Sequence, residues 1–159
     1  MIHATFVVER HDHISMNNEN NNFLGSSMKF PIQVNPSTGR FAVSSGEQSV
    51  KESVYLILMT NRGERWLLPD FGGTLVRYAF MDTSLTMLTI MSNEIRRVLA
   101  EQEPRIGDID VEIDRSDERA DCLVVNIRYM VRETNTPENL VFPFYLNNSE
   151  VVMDDEDEL

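Results

Sequence analysis

The chain has 159 residues and a mass of 18.3 kDa, one domain's worth, and by the area scaling of globular proteins it buries about 70% of its unfolded surface without covalent staples. Fourteen basic residues against 26 acidic give a formal net charge of −12, which argues against nonspecific nucleic-acid binding, because phosphate affinity rests on clustered Lys and Arg. The single cysteine, Cys122, excludes an internal disulfide and any multi-cysteine zinc or iron–sulfur site, and suits a reducing cytoplasm.

Met1 to Glu9 lack the basic stretch and long apolar run of a signal peptide. No later stretch approaches the roughly 20 apolar residues that span a bilayer, so a soluble cytoplasmic protein without membrane contact is expected. Within this arm His3 to Glu9 reads as a short strand through Phe6-Val7-Val8. A polar run follows in which five of the six residues 17 to 22 are Asn, read as a flexible connector. Phe30 to Val34 and Phe41 to Val43 read as short strands around Asn35-Pro36-Ser37-Thr38-Gly39, a turn in which Pro fixes φ and Gly supplies a positive one.

A first helix is predicted over Glu47 to Met59, with Ser45 or Gly46 near its N-cap and Val50, Val54, Ile57 and Leu58 on one face. Gly63 closes the region after it. Trp66 to Gly73 reads as irregular, apolar and turn-rich, and Leu75 to Ala79 as a short helical turn. Asp82 or Thr83 is expected to cap a second helix, in which Leu85, Leu88, Met91 or Ser92, Ile95, and Val98 or Leu99 recur at three- and four-residue spacing until Pro104 ends it.

Ile109, Val111 and Ile113 then alternate with Asp108, Asp110, Glu112 and Asp114, the pattern of a strand with one core face and one acidic face. After a polar turn from Arg115 to Asp121, Leu123, Val125, Ile127, Tyr129 and Val131 define a partner strand. A hairpin centred near Glu118 sets Ile109 opposite Ile127 and Asp108 opposite Arg128. Leu140 to Leu146 is apolar throughout, and Pro143 within it argues for an edge strand or for pairing outside the domain. The expected fold is α+β, two main helices packed on a small, largely antiparallel β-sheet. The last ten residues carry six of the 26 acids and no base, a self-repelling appendage. The organisation is therefore an N-terminal arm over 1–22, a single domain over 23–147 and an acidic tail over 148–159.

Catalytic chemistry finds little support. His3, His11 and His13 all fall in the arm, so the expected folded region has no imidazole for a Ser-His-Asp triad or a Cys-His dyad. Cys122 begins a strand with no base beside it, and His11 and His13 lack a third and fourth metal ligand. A glycosidase needs only two carboxylates, yet among 26 acids no pair stands out. No catalytic residue, metal or cofactor is assigned. Three clusters stand apart, Thr60-Asn61-Arg62-Gly63-Glu64-Arg65, Pro69-Asp70-Phe71-Gly72 and Glu103-Pro104-Arg105, each placing charged and special-geometry residues at helix ends. Twelve of the 14 bases are Arg, whose planar fork suits fixed carboxylate pairing at interfaces.

These clusters occur in order with Phe30-Pro31, Asn35-Pro36-Ser37-Thr38-Gly39, the helix from Gly46-Glu47 to Leu58, Leu75 and Phe80, Thr134-Asn135-Thr136-Pro137, and Leu140-Val141-Phe142-Pro143-Phe144. In that order and spacing the chain, over roughly residues 23 to 146, resembles the baseplate wedge and sheath-initiator component of contractile injection machines. Such machines are contractile phage tails, type VI secretion systems and extracellular injection particles. Members are often labelled lysozyme-like, a label the missing catalytic constellation does not support.

The resemblance implies a non-catalytic structural protein, six copies per particle, made in the producing cell's cytoplasm and carried in the assembled baseplate. It implies docking to other wedge proteins, a platform for the first ring of sheath protein, and the hub or inner tube as a further contact. By the same resemblance Glu103, Pro104 and Arg105 meet the wedge core, with Arg105 forking to a partner carboxylate or to backbone carbonyls. Arg62, Gly63, Glu64, Arg65, Pro69, Phe71 and Gly72 join that contact. Leu140, Val141, Phe142, Pro143, Phe144 and Tyr145 would pair with sheath strands by β-augmentation. The competing readings are a peptidoglycan-cleaving muramidase of a tail baseplate and a small adaptor for a regulatory protein.

Overall fold

In a computed structural model of the chain, the structure describes residues 22–116 and 121–146. The expected strand at His3 to Glu9, the Asn-rich run before Asn22 and the acidic tail lie outside them. Two short strands, β1 (Ser26–Met28) and β2 (Val43–Ser45), pair antiparallel ahead of α1 (Glu47–Met59). Gly46 stands at the N-cap of α1 with φ 63°, and Val50, Val54, Ile57 and Leu58 are all buried, so the predicted face is the packed one. Glu52 is buried on the same helix and fully engaged. Its carboxylate accepts from Ser44 Oγ at 2.6 Å, Phe30 N at 3.0 Å and Gln48 Nε2 at 3.0 Å, which ties the β1–β2 hairpin to the helix.

Phe30 to Val34, expected as a strand, is irregular. A single bridge between Val34 and Phe41 joins the two arms near the turn, while the strands form further from it. Pro31 has no N–H to donate, and residues 30 to 41 are all exposed, so no buried face favours an extended alternating run. The turn itself follows the expected chemistry, with Asn35 N bonded to Arg40 O at 2.8 Å and Gly39 at φ 66°.

A 3-10 turn over Leu75–Phe80 leads to α2 (Leu85–Gln102). The cap of α2 is Ser84, one residue beyond the expected Asp82 or Thr83, because its hydroxyl is the one that accepts from the Met87 N–H. Met91, Ile95, Val98 and Leu99 face the core with Leu88 half-buried. Leu85, expected on that stripe, is 85% exposed in the first turn, beyond the edge of the core.

The main sheet is an antiparallel meander of β3 (Ile106–Arg115), β4 (Cys122–Val131) and β5 (Thr136–Tyr145), in that order. Every second residue of β4, Leu123 to Val131, is buried in the core that also takes the inner faces of α1 and α2. The hairpin register differs from the sequence expectation: Val111 lies opposite Ile127, and Asp110 opposite Arg128. A shift of two residues preserves which face is buried, so hydrophobic alternation alone does not separate the two registers. Between Gly107 and Asp110 the pairing slips by one residue at a bulge, with Asp108 at φ 47°. That slip lets Ile106, opposite Val131, and Val111, opposite Ile127, both face the core although one is even-numbered and the other odd.

β5 begins at Thr136, earlier than Leu140, after a turn in which Asn135 takes φ 52°. Its apolar run alternates in fact, with Leu140 and Phe142 buried and Val141 and Pro143 exposed. It is an edge strand, as Pro143 implied.

Candidate docking site

α2 ends where Pro104 withholds an N–H, and the three residues around it hold two distant segments. Glu103 is 2% exposed. Arg105 donates Nε to its Oε1 at 2.7 Å and Nη2 to its Oε2 at 2.6 Å, a bidentate pair, and sends Nη1 to Leu24 O at 3.0 Å. Burial pushes the Glu103 carboxyl up, but hydrogen bonds from Arg105 and Ser53 and the Arg105 charge outweigh it and hold the group below its ordinary value. The fork of Arg105 thus closes within the chain, on one carboxylate and one carbonyl, while Pro104 stays exposed.

One residue earlier, Gln102 clasps the loop that follows α1. Its Oε1 accepts from Gly72 N at 2.7 Å, and its Nε2 donates to Gly72 O at 3.0 Å and Asp70 O at 3.1 Å. The loop closes on itself through Gly63 N to Pro69 O at 2.8 Å and Gly73 N to Thr60 O at 3.0 Å. Gly72 is required at its place: φ is 92°, and a Cβ there would stand 2.2 Å from Thr60 O. Glu64 accepts from Asn61 N at 2.8 Å, and the Arg65 guanidinium lies 4.0 Å over the Phe71 ring. Arg62 and Asp70 are 3.9 Å apart and largely exposed, a weak pair.

The structure therefore brings all three of these clusters to the C-terminal end of α2. Gly63, Pro69, Phe71 and Gly72 build the loop, Arg62, Glu64 and Arg65 fix its rim, and Glu103 and Arg105 turn inward beside it. Sequence reasoning missed Gln102 and Leu24, whose roles depend on contacts 30 and 81 residues away. It also missed Trp66, Leu67 and Leu68, which are 92%, 82% and 56% exposed at the loop tip. The available signal was a run of three large apolar residues between Arg65 and Pro69 with no period to assign it to a buried face.

The expected sheath-pairing residues form a second surface. Leu146 N donates to Asp121 O at 2.8 Å, so by the antiparallel ladder the even-numbered residues of β5 exchange hydrogen bonds with β4 and the odd-numbered ones turn their backbone outward. Pro137 and Pro143 both fall on the outward set, where no β4 bond is lost, and Val141 between them points an N–H and a C=O away from the sheet. Leu140 and Phe142 are core residues, and Phe144 and Tyr145 are half-buried.

Among the described residues no group of three or more His, Cys, Asp or Glu could hold a metal ion, and no helix is long and apolar enough to cross a membrane. Cys122 is buried.

Among the described residues the fold is a small α+β core with an apolar loop tip left in solvent and a strand edge that no other strand pairs. The chain belongs to the gp25 baseplate wedge family: the family model described as baseplate wedge protein gp25 matches residues 44–136. It is similar to the crystal structure of a candidate tail lysozyme from Geobacter sulfurreducens, at 40% identity over 67% of this chain and 96% of that one, with a TM-score of 0.61. It shares its fold with a chain of the anti-feeding prophage baseplate, at 22% identity, 82% and 92% coverage and a TM-score of 0.59. The same holds for a chain of the type VI secretion baseplate complex, at 18% identity, 62% and 91% coverage and a TM-score of 0.51. No curated protein matches the chain.

Proposed function

We propose that the protein is a non-catalytic component of the baseplate wedge of a contractile injection system. It docks to other wedge proteins through the loop over residues 60–73 and the Glu103-Pro104-Arg105 corner, and it offers β5 as the strand on which the first sheath ring pairs. The observation that carries this reading is the edge of β5 that no other strand among the described residues pairs, where the Val141 peptide faces outward between two prolines that give up no internal bond. Membership of the wedge family and the baseplate origin of its structural neighbours support the same reading.

Hydrogen bonds from Arg97, Arg105 and Arg128 draw Glu94, Glu103 and Asp110 below their ordinary values, the reverse of the raised carboxyl that a glycosidase acid needs, so none of these three is suited to that role. The purified protein is expected to clear no peptidoglycan.

Val141→Pro tests the platform. Val141 sits on the same side of the ladder as Pro137 and Pro143, so proline there spares every β4–β5 bond and removes the outward N–H. The expected outcome is a folded protein and complete baseplates without sheath in electron micrographs of particles from the source cells. Sheathed particles at parental frequency would reject the platform.

A further inference from the structure

Beside the outward edge of β5 runs an apolar groove of about 330 Å3, between the end of α1, the 3-10 turn and the last residues of the strand. The last four β5 residues, Phe142 to Tyr145, from both faces of the sheet, line one side of it with Leu146, so the groove lies along the strand's edge and not over one face. Its opposite wall is Met59, Val76 and Phe80, which are 47%, 46% and 67% exposed. An occupant must therefore satisfy outward backbone groups at Val141 and apolar side chains across the groove, and it must ask for no donor at Pro143.

An extended strand meets all three demands. The sequence of residues 147–159 fits them poorly, because Val151, Val152 and Met153 are its one apolar run and five successive acids, Asp154 to Glu158, follow. That stretch runs out of apolar residues before it could line β5 back to Leu140.

We infer that the strand added to β5 comes from a partner protein and is apolar at alternate positions, those facing the helices. One of these side chains fills the groove against Met59, Val76 and Phe80, and Pro143 sets the register by offering an acceptor without a donor. The inference rests on the edge-pairing reading above and adds the partner's side-chain chemistry and its alignment.

The test mixes the full-length protein with sheath subunits purified from the same particles, and reads amide exchange at Val141 together with affinity. The parent should gain protection at Val141, and Phe80→Asp and Val76→Asp, both at exposed positions, should each weaken binding by about tenfold or more while melting as the parent does. Protection at Val141 with unchanged affinity in both variants would leave edge pairing intact and overturn the groove as its anchor. No protection at Val141 in the parent would overturn edge pairing itself. Protection already present in the free protein, and abolished by deleting residues 147–159, would put the chain's own tail on the edge and overturn the partner assignment.

Discussion

Arg105 and Glu103, two residues apart, form a closed bidentate pair at 2.6 and 2.7 Å, with the carboxylate almost fully buried and the guanidinium reaching on to Leu24 O. Removing the arginine leaves a buried carboxylate without its counter-charge. Arg105→Ala should cost about 3 kcal/mol, roughly ten degrees in melting temperature. Arg105→Lys, which keeps the charge and loses the fork, should fall between the two. Calorimetry of the three proteins checks the order. A wedge-assembly defect in Arg105→Lys larger than its melting shift explains would assign the side chain a docking role beyond its structural one.

The same pair sets a pH dependence. Because the folded Glu103 carboxyl lies below its ordinary value of 4.5, its contribution to stability is fully present above that pH and is lost as pH falls through the folded value. Denaturation midpoints measured from pH 6 down to pH 3 should therefore drop in the parent. In Arg105→Ala the drop should be shallower, because the arginine's hydrogen bonds and charge no longer hold the group down while burial still pushes it up.

Gly63 and Gly72 both have φ near 90° but differ in their surroundings. A Cβ on Gly63 meets nothing within 4 Å, so Gly63→Ala should cost only the left-handed backbone, about 1–2 kcal/mol. Gly72→Ala adds a collision with Thr60 O, about 1–3 kcal/mol more, and should loosen the loop that Gln102 clasps. Urea midpoints of the two variants give the comparison.

Trp66 is the only tryptophan and stands 92% exposed. Its emission in the free protein should be that of a solvated indole, freely quenched by acrylamide, and should shift to the blue with loss of quenching when other wedge proteins are added. Trp66→Ser should leave stability within about 0.5 kcal/mol while weakening that association. A stable, fully assembling Trp66→Ser would remove the loop tip from the interface.

Elements with a strong period were legible from the sequence. α1 and the alternating core face of β4 follow from apolar spacing alone, and the edge position of β5 follows from one proline. Features decided by a single hydrogen bond or by turn length were not legible. Ser84 and Thr83 are both competent caps, and only the folded geometry aims one hydroxyl at Met87 N. Asp108 and Asp110 are equally acidic, and the bulge decides which faces Arg128. Of the docking corner, the motifs were visible but their orientation was not. Nothing local in Glu-Pro-Arg says that its charges close on each other and on Leu24, and nothing in the irregular, apolar stretch from Trp66 says that the fold leaves Trp-Leu-Leu in solvent.

The contacts at the end of α2 also close much longer stretches of chain than the main sheet does. β3, β4 and β5 follow one another as a meander whose pairings close short loops, whereas Gln102 reaches back 30 residues and Arg105 reaches back 81. Longer closures cost more chain entropy, so each of these contacts must offset a larger ordering cost than a pairing within the meander does. Segments tied down by a few long-range contacts open most readily, so the clasped loop and the Leu24 segment should exchange their amides faster than the sheet behind them.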